Sequence, residues 1–242
     1  MTRRKVILTG ASSGIGAAIR RRLLKDGHQV IGVCRQPEVG EASDDYFATT
    51  CDLSELDNLH ETFQSILTHH GDIDALILNA GAPLFGYLEQ LSHTQIRDAI
   101  SLNLTSHLLV AHEVVPWFKQ RGRGNVIVMG SESALRGGRQ GSIYCAAKFG
   151  LRGFALSLRE ECAASGVGVT LIHPGMTRTP MFDTLDFAPG SSPDNAIDPD
   201  DIAAAVMMIL KARPGTVFDE VELSPMKKVI DFGKPPGRRQ NP

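Results

Sequence analysis

Seven short runs rich in β-branched residues alternate with segments of helical period, and that alternation leaves few folds open. The runs are Lys5–Thr9, Gln29–Cys34, Phe47–Cys51, Ala75–Asn79, Asn125–Gly130, Gly168–Ile172 and Val217–Leu223. Helical patterns fall between them near Ile15–Lys25, Leu53–Thr68, Thr94–Val115, Ser142–Ala164 and Asp200–Leu210. Strand, helix and strand in repetition set parallel strands side by side, with crossover helices over both faces of the sheet. Val6-Ile7-Leu8 and Ala75-Leu76-Ile77-Leu78 are apolar at every position, as strands buried on both faces must be. The expectation is an α/β chain with a doubly wound parallel sheet of about seven strands. Its 242 residues suffice for one such domain with a sizeable core, so 1–242 is read as a single unit.

Two stretches break the alternation. His173 to Pro199 carries Pro174, Pro180, Pro189, Pro193 and Pro199 with few periodic residues. A loop of that length in a compact domain is usually a lid or binding loop, so a substrate lid is expected at about 175–199. Asp198-Pro199 then reads as an N-cap followed by proline at the first helical position. The tail from about Ser224 ends in Lys-Pro-Pro-Gly-Arg-Arg, which cannot form a regular element.

Composition removes several partners. A formal net charge of −2 gives no electrostatic case for nucleic acid. Arg3-Arg4-Lys5 is followed by only Val6-Ile7-Leu8 before Thr9-Gly10, too short an apolar run for a signal peptide. No stretch approaches the roughly 18 apolar residues of a membrane span, so no membrane partner and a cytoplasmic setting are expected. Cys34, Cys51, Cys145 and Cys162 are scattered, and no histidine spacing suits a ligand set; no metal is expected. The His69-His70 doublet and the pair His107 and His112 read as surface or satisfied core positions.

Thr9-Gly10-Ala11-Ser12-Ser13-Gly14-Ile15-Gly16 sits where the first strand hands over to the first helix. Gly10 permits a tight turn, Gly14 lets the backbone approach a diphosphate, and Gly16 permits close packing of helix on strand. The helix start offers N–H groups and a positive dipole end to phosphate. This is the signature of a Rossmann-type sheet. The same residues also contain Gly10-x-Ser12-x-Gly14, the nucleophile-elbow pattern of hydrolases. Against that reading, an elbow follows several strands rather than the first. The last histidine, His173, also stands before Pro174-Gly175, leaving no late-chain base. The second run ends Val33-Cys34-Arg35, with no acid before Glu38 to hold a ribose 2′-hydroxyl. Arg35 suits a 2′-phosphate instead, which favours NADP(H) and leaves NAD(H) as the alternative. Its bland reading is a solvated loop arginine.

Tyr144-Cys145-Ala146-Ala147-Lys148 lies in helical sequence, and i, i+4 spacing puts both long side chains on one face. A free tyrosine titrates near pH ~10, and a nearby ammonium favours its phenolate. The pair alone is a weak signal, since chance pairs on exposed helix faces are common. Ser131 follows the strand run Val126–Gly130, at the sheet edge where open α/β folds bind ligands. Ser133 is its substitute, and capping a turn is the plain role for either. Asn79-Ala80-Gly81 follows the fourth run at the same edge, and Asn103 is an amide inside the next helical segment.

Together these residues resemble the short-chain dehydrogenase/reductase family from about Lys5 to Leu223. Gly10, Gly14, Ile15 and Gly16, with Ser12 and Ser13 between, match its cofactor turn. Asp52-Leu53 matches the pair near the adenine, and Asn79-Ala80-Gly81 its sheet-stabilising motif. Asn103, Ser131, Tyr144 and Lys148 match its catalytic residues in order. Pro174-Gly175 with Thr177 and Thr179 matches the segment that holds the carboxamide. The resemblance implies Tyr144 as general acid/base, Lys148 lowering its pKa and binding the nicotinamide ribose, and Ser131 orienting the substrate oxygen. It implies Asn103 in a water relay to Lys148. It further implies an NADP-preferring oxidoreductase that interconverts alcohol and carbonyl, paired through the Tyr144 helix as a homodimer or homotetramer. A dinucleotide-binding redox sensor without catalysis is the alternative, against which the intact residue set speaks.

Pro83, Leu84, Phe85, the 135–140 loop, Met176, Met181 and Phe182 are expected to wall the substrate pocket. One of Arg136, Arg139 and Arg178 could fork onto a substrate carboxylate, while the plainer reading of each is that it points to solvent or toward cofactor phosphate. The ending Val221–Met226 resembles family members that oxidise small 3-hydroxy acids.

Overall fold

Successive residues of a strand face opposite ways, and in the computed structural model, which describes residues 2–36 and 44–233, both directions lead into helical layers. The strands are β1 (Lys5–Thr9), β2 (Gln29–Cys34), β3 (Tyr46–Thr50), β4 (Ala75–Leu78), β5 (Gly124–Met129), β6 (Val167–Pro174), β7 (Phe187–Pro189), β8 (Glu220–Leu223) and β9 (Ile230–Phe232). The helices are α1 (Gly14–Lys25), α2 (Leu59–His70), α3 (His93–Ile100), α4 (Ser106–Arg121), α5 (Ser142–Ala163) and α6 (Pro199–Leu210). Ile7, Ile31, Leu76 and Val126 pack on Phe63 of α2, Phe118 of α4 and Leu151 of α5. Their neighbours Val6, Leu8, Val30 and Ile127 pack on Ile19 and Leu23 of α1 and on Ile202 and Val206 of α6. Each such side chain is worth about 1.5–3 kcal/mol when fully buried. A one-residue slip would exchange the two sets, so the register is well specified.

The central sheet runs β3-β2-β1-β4-β5-β6-β8, parallel throughout. From β1 the chain winds outward through β2 and β3, then returns to place β4 on the other side of β1. Such a switch opens a crevice beyond the carboxyl ends of β1 and β4, where doubly wound sheets bind ligands. The glycine turn leaves β1 at that point, and Asn79 leaves β4 beside it.

Three segments differ from the pattern expected of the sequence. The second crossover begins with a 3-10 turn at Leu56–Asn58, so α2 starts at Leu59 rather than Leu53. The segment read as one helix from Thr94 to Val115 is two helices joined by a π-helical turn at Ser101–Thr105. Ser92 and Gln95 close a capping box at its start. α4 continues through Pro116 to Arg121, and Gly122 ends it with φ +64°.

The sequence pattern places no strand beyond Leu223, yet β9 pairs antiparallel with β7, which lies within the 175–199 segment. The Gly190 N–H donates to the Val229 carbonyl at 3.0 Å and the Gly233 N–H to that of Asp186 at 2.9 Å. Lys227 pairs with Asp194 at 3.0 Å, and Lys228 with Glu132 at 2.8 Å. These partners lie far away in sequence, so local periodicity carries no sign of them. The Lys-Pro-Pro-Gly-Arg-Arg stretch lies outside the described residues. Among the described residues no helix is long and apolar enough to cross a membrane, and no side-chain group could hold a metal ion.

Candidate active site

The glycine turn is built by two close approaches. Gly14 holds φ +52°, a left-handed conformation that side chains oppose. A Cβ on Gly16 would stand 1.9 Å from the Gly10 carbonyl oxygen. Asn79 fixes the turn from β4: its Nδ2 donates to the carbonyls of Thr9 at 3.0 Å and Gly10 at 3.2 Å. The Thr9 hydroxyl accepts the N–H groups of Asn79 and Ala80 at 2.9 and 3.1 Å. Ser13 makes no side-chain cap on α1, and no acid lies in its first turn. The positive end of α1 therefore meets the cavity through bare backbone, a cradle that fits a dinucleotide diphosphate.

That cavity measures about 1390 Å³. A single small ligand fills roughly 300–1,000 Å³, so there is room for a dinucleotide and a second molecule. Gly10, Ser12, Ser13, Gly14, Ile15 and Gly16 line one end with Arg35, Asp52 and Leu53. Asn79, Ala80, Gly81, Ser131, Tyr144 and Lys148 also line it, with Pro174, Gly175, Thr177 and Thr179. The Asp52 carboxyl is held below its ordinary value by hydrogen bonds from Ser54, at 2.7 Å from the hydroxyl and 2.9 Å from the N–H. Thr179 packs against Gly14, and the buried Thr177 hydroxyl donates to the Gly175 carbonyl at 3.0 Å.

Tyr144 and Lys148 share the inner face of α5, 8% and 3% exposed. The Lys148 Nζ donates to the Met129 carbonyl at 3.0 Å and lies 5.7 Å from the Tyr144 ring centre. Burial pushes the Tyr144 phenol up to about 12, against the opposing pull of a hydrogen bond with Ser131. Burial also brings the Lys148 ammonium down to about 8. Desolvation is the largest influence on the phenol and favours its protonated form at neutral pH. The Ser131 Oγ also accepts the Ser133 N–H at 3.1 Å, so Ser133 serves the turn that follows β5.

Asn103 stands apart from the cavity lining. It sits in the π-helical turn, 1% exposed, and its amide closes on backbone. Oδ1 accepts the Ala82 N–H at 3.1 Å, while Nδ2 donates to the carbonyls of Ala82 and Ala99, both at 3.0 Å. It is near Lys148 all the same. A Cβ on Gly81 would meet Asn103 Oδ1 at 2.8 Å and Lys148 Nζ at 3.8 Å. Below it, His107 donates from Nε2 to the Ala80 carbonyl at 2.7 Å. Burial pulls that imidazole down to about 3, so it is neutral.

The substrate end carries aromatic rings in series. Phe85 lies 5.4 Å from Tyr144, Phe187 lies 5.1 Å from Phe85, and Phe182 lies 6.0 Å from Phe187. Tyr87, Phe187, Ile230 and Phe232 line the cavity and were not expected from the sequence. Of the three arginines proposed there, Arg136 pairs with Glu132 at 3.1 Å, and Arg178 donates to the Gly190 and Ser192 carbonyls. Arg139 stands on the rim, hydrogen-bonded to the Tyr87 hydroxyl. The hydrolase reading fails here. Both ring nitrogens of His173 are taken, by the Ser131 carbonyl at 3.1 Å and by Glu220 at 3.0 Å, so it is no base for Ser12.

The chain is similar to known proteins over most of its length. The chain is 32% identical over 191 residues to the 3-oxoacyl-(acyl-carrier-protein) reductase of Buchnera aphidicola, covering 77% of this chain and 78% of that protein. An alcohol dehydrogenase from Thermococcus sibiricus, solved with 5-hydroxy-NADP, superposes with TM-score 0.80 at 26% identity, covering 92% and 96% of the two chains. Serine dehydrogenase from Escherichia coli superposes with TM-score 0.79 at 26% identity, covering 90% and 96%. The family model for short chain dehydrogenases matches residues 4–188, and the chain belongs to that family of oxidoreductases.

Proposed function

We propose that the protein is an NADP(H)-dependent carbonyl reductase in which Tyr144 gives the proton to the substrate oxygen. The observation that carries this reading is the buried Tyr144 phenol. It bonds Ser131 on the wall of the cavity whose far end is the glycine cradle. A bound reduced nicotinamide supplies the hydride to the carbonyl carbon. Ser131 and Tyr144 hold the carbonyl oxygen between them, and the phenol proton moves to that oxygen as charge develops on it. Lys148 keeps a positive charge beside the phenolate that results. Gly10 to Gly16 would hold the diphosphate of the bound cofactor, and Arg35 would meet its 2′-phosphate.

The protonation states set how the rate of reduction should depend on pH. Reduction needs the phenol proton and the ammonium together, and with Lys148 at about 8 both are in place below that pH. The kcat/KM for reduction is therefore expected to be flat from about pH 6 to 7.5 and to fall above about 8. A rate that climbs steadily through that range would contradict the assignment. Cofactor choice has its own test: Arg35→Asp should weaken NADPH binding at least about tenfold and NADH binding far less, since it replaces the 2′-phosphate partner by a like charge. Equal losses in fluorescence titrations with the two cofactors would show that Arg35 reads no phosphate.

Phe85, Phe182 and Phe187 favour a substrate with an apolar or aromatic group beside its carbonyl. A small 3-hydroxy acid is the second reading, favoured by Arg139 on the rim and by the likeness to serine dehydrogenase. Absorbance of NADPH followed against aldehydes, ketones, 3-oxo thioesters and, with NADP⁺, hydroxy acids decides between them. Tight NADPH binding with no turnover on any would leave only the sensor. We assign α5 to pairing between subunits as well, because Phe149 and Leu156 expose 43% and 40% of their surface on it.

A further inference from the structure

We infer that His173, held by Glu220 and Arg152, is a positioning residue that sets Ser131 against Tyr144 through the Ser131 backbone; this rests on the oxidoreductase reading above. The chain of contacts is continuous. Arg152 lies on α5, four residues beyond Lys148 on the same helical face. Its Nε and Nη2 fork onto the two oxygens of Glu220 at 2.6 and 2.9 Å, from α5 across to β8. Glu220 Oε1 accepts from His173 Nε2 at 3.0 Å, and His173 Nδ1 reaches the Ser131 carbonyl at 3.1 Å. The network thus leaves the helix that carries Tyr144 and Lys148 and ends on the peptide of the serine that must meet them.

Several features mark this as more than a core histidine filling space. The His173 side chain is fully buried, yet both its nitrogens face acceptors, a carbonyl and a carboxylate. The bidentate Arg152 pair holds the Glu220 carboxyl down at about 2, so it remains an acceptor throughout the working range. The ring also lies tight against the turn it controls: a Cβ on Gly130 would come within 2.9 Å of His173 Nδ1. Ser131 itself is extended, with φ −172° and ψ 159°, at the point where β5 gives way to a 3-10 turn. Rotation of its peptide swings the hydroxyl that bonds Tyr144, and the His173 contact opposes that rotation. Catalysis is sensitive to such placement, since a shift of ~1 Å can cost about 10²-fold.

A double-mutant cycle tests the role. His173→Ala should lower kcat about tenfold or more, with KM and the NADPH dissociation constant within about threefold of wild type. On a Ser131→Ala background the same change should cost less than about twofold, because nothing remains for it to position. Losses that multiply, or a single variant with kcat within about twofold of wild type, overturn the inference. If His173→Ala shows no cooperative thermal transition, Glu220→Gln carries the same cycle. It keeps an acceptor for Arg152 and removes the charge that orients the ring. The two readings fail separately. A wild-type enzyme inert across the substrate panel overturns the reductase and the positioning role with it. A working wild type with multiplicative losses overturns the positioning role alone.

Discussion

Tyr144→Phe is expected to lower kcat/KM for carbonyl reduction by about 10²–10⁴-fold, the usual contribution of a positioned general acid. At 1.36 kcal/mol per tenfold this is about 2.7–5.4 kcal/mol of lost transition-state stabilisation. The substitution is chemically narrow. It removes one hydroxyl and keeps the ring that stacks 5.4 Å from Phe85. Folding and NADPH binding should therefore stay close to wild type, with the thermal transition lowered by no more than about 6 °C, since the lost hydrogen bond to Ser131 is worth about 0.5–1.5 kcal/mol. Stopped-flow absorbance of NADPH under single-turnover conditions separates the chemical step from binding and product release. A rate near wild type would remove Tyr144 as the proton donor. A large loss of NADPH affinity would instead mean that the hydroxyl serves the cofactor more than the substrate. The two tests read different groups: the variant reads the phenol proton, whereas the fall in rate above about pH 8 reads the Lys148 ammonium.

The parts of the fold legible in the sequence are those with a local physical signal. β1 and β2 begin and end where continuous apolar runs do, and α5 follows its 3.6-residue period over nearly its whole length. The glycine turn, Asn79, Ser131, Tyr144 and Lys148 were also readable, because each sits at a strand end or on one helix face. The rest depends on contacts across long sequence distances. Nothing near Ile230-Asp231-Phe232 announces a strand, since its partner is β7, far earlier in the chain. His173 reads as a lone histidine until Glu220 and Arg152 are beside it. The π-helical turn at Asn103 keeps helical periodicity on both sides, so the sequence shows one helix where the structure inserts a widened turn. The raised phenol of Tyr144 is likewise a property of burial, which no spacing of residues reports.

Gly16→Ala should damage both stability and cofactor binding, although alanine is the better helix former. In an exposed helix interior the change from glycine gains roughly 0.5–1 kcal/mol. Here the new Cβ would lie 1.9 Å from the Gly10 carbonyl oxygen, 2.8 Å from Asn79 Nδ2 and 2.9 Å from the Gly10 carbonyl carbon. Two of those three neighbours are backbone, and the third is the amide that fastens the turn to β4. Relief requires α1 to move away from the turn or Gly10 to leave its bond with the Val33 carbonyl, now 2.8 Å. Overpacking of this kind costs about 1–3 kcal/mol, which exceeds the helical gain. For a chain of this size each kcal/mol lowers the melting temperature by about 2–4 °C. The same displacement withdraws the first-turn N–H groups from the diphosphate, so NADPH affinity should fall at least about tenfold, or ~1.4 kcal/mol. Thermal unfolding and NADPH fluorescence titration read the two effects independently. A variant that melts lower yet binds NADPH normally would mean that Gly16 serves packing alone. One that melts as wild type and binds as wild type would show that the turn yields freely, and the cradle is then not the rigid element on which cofactor binding depends.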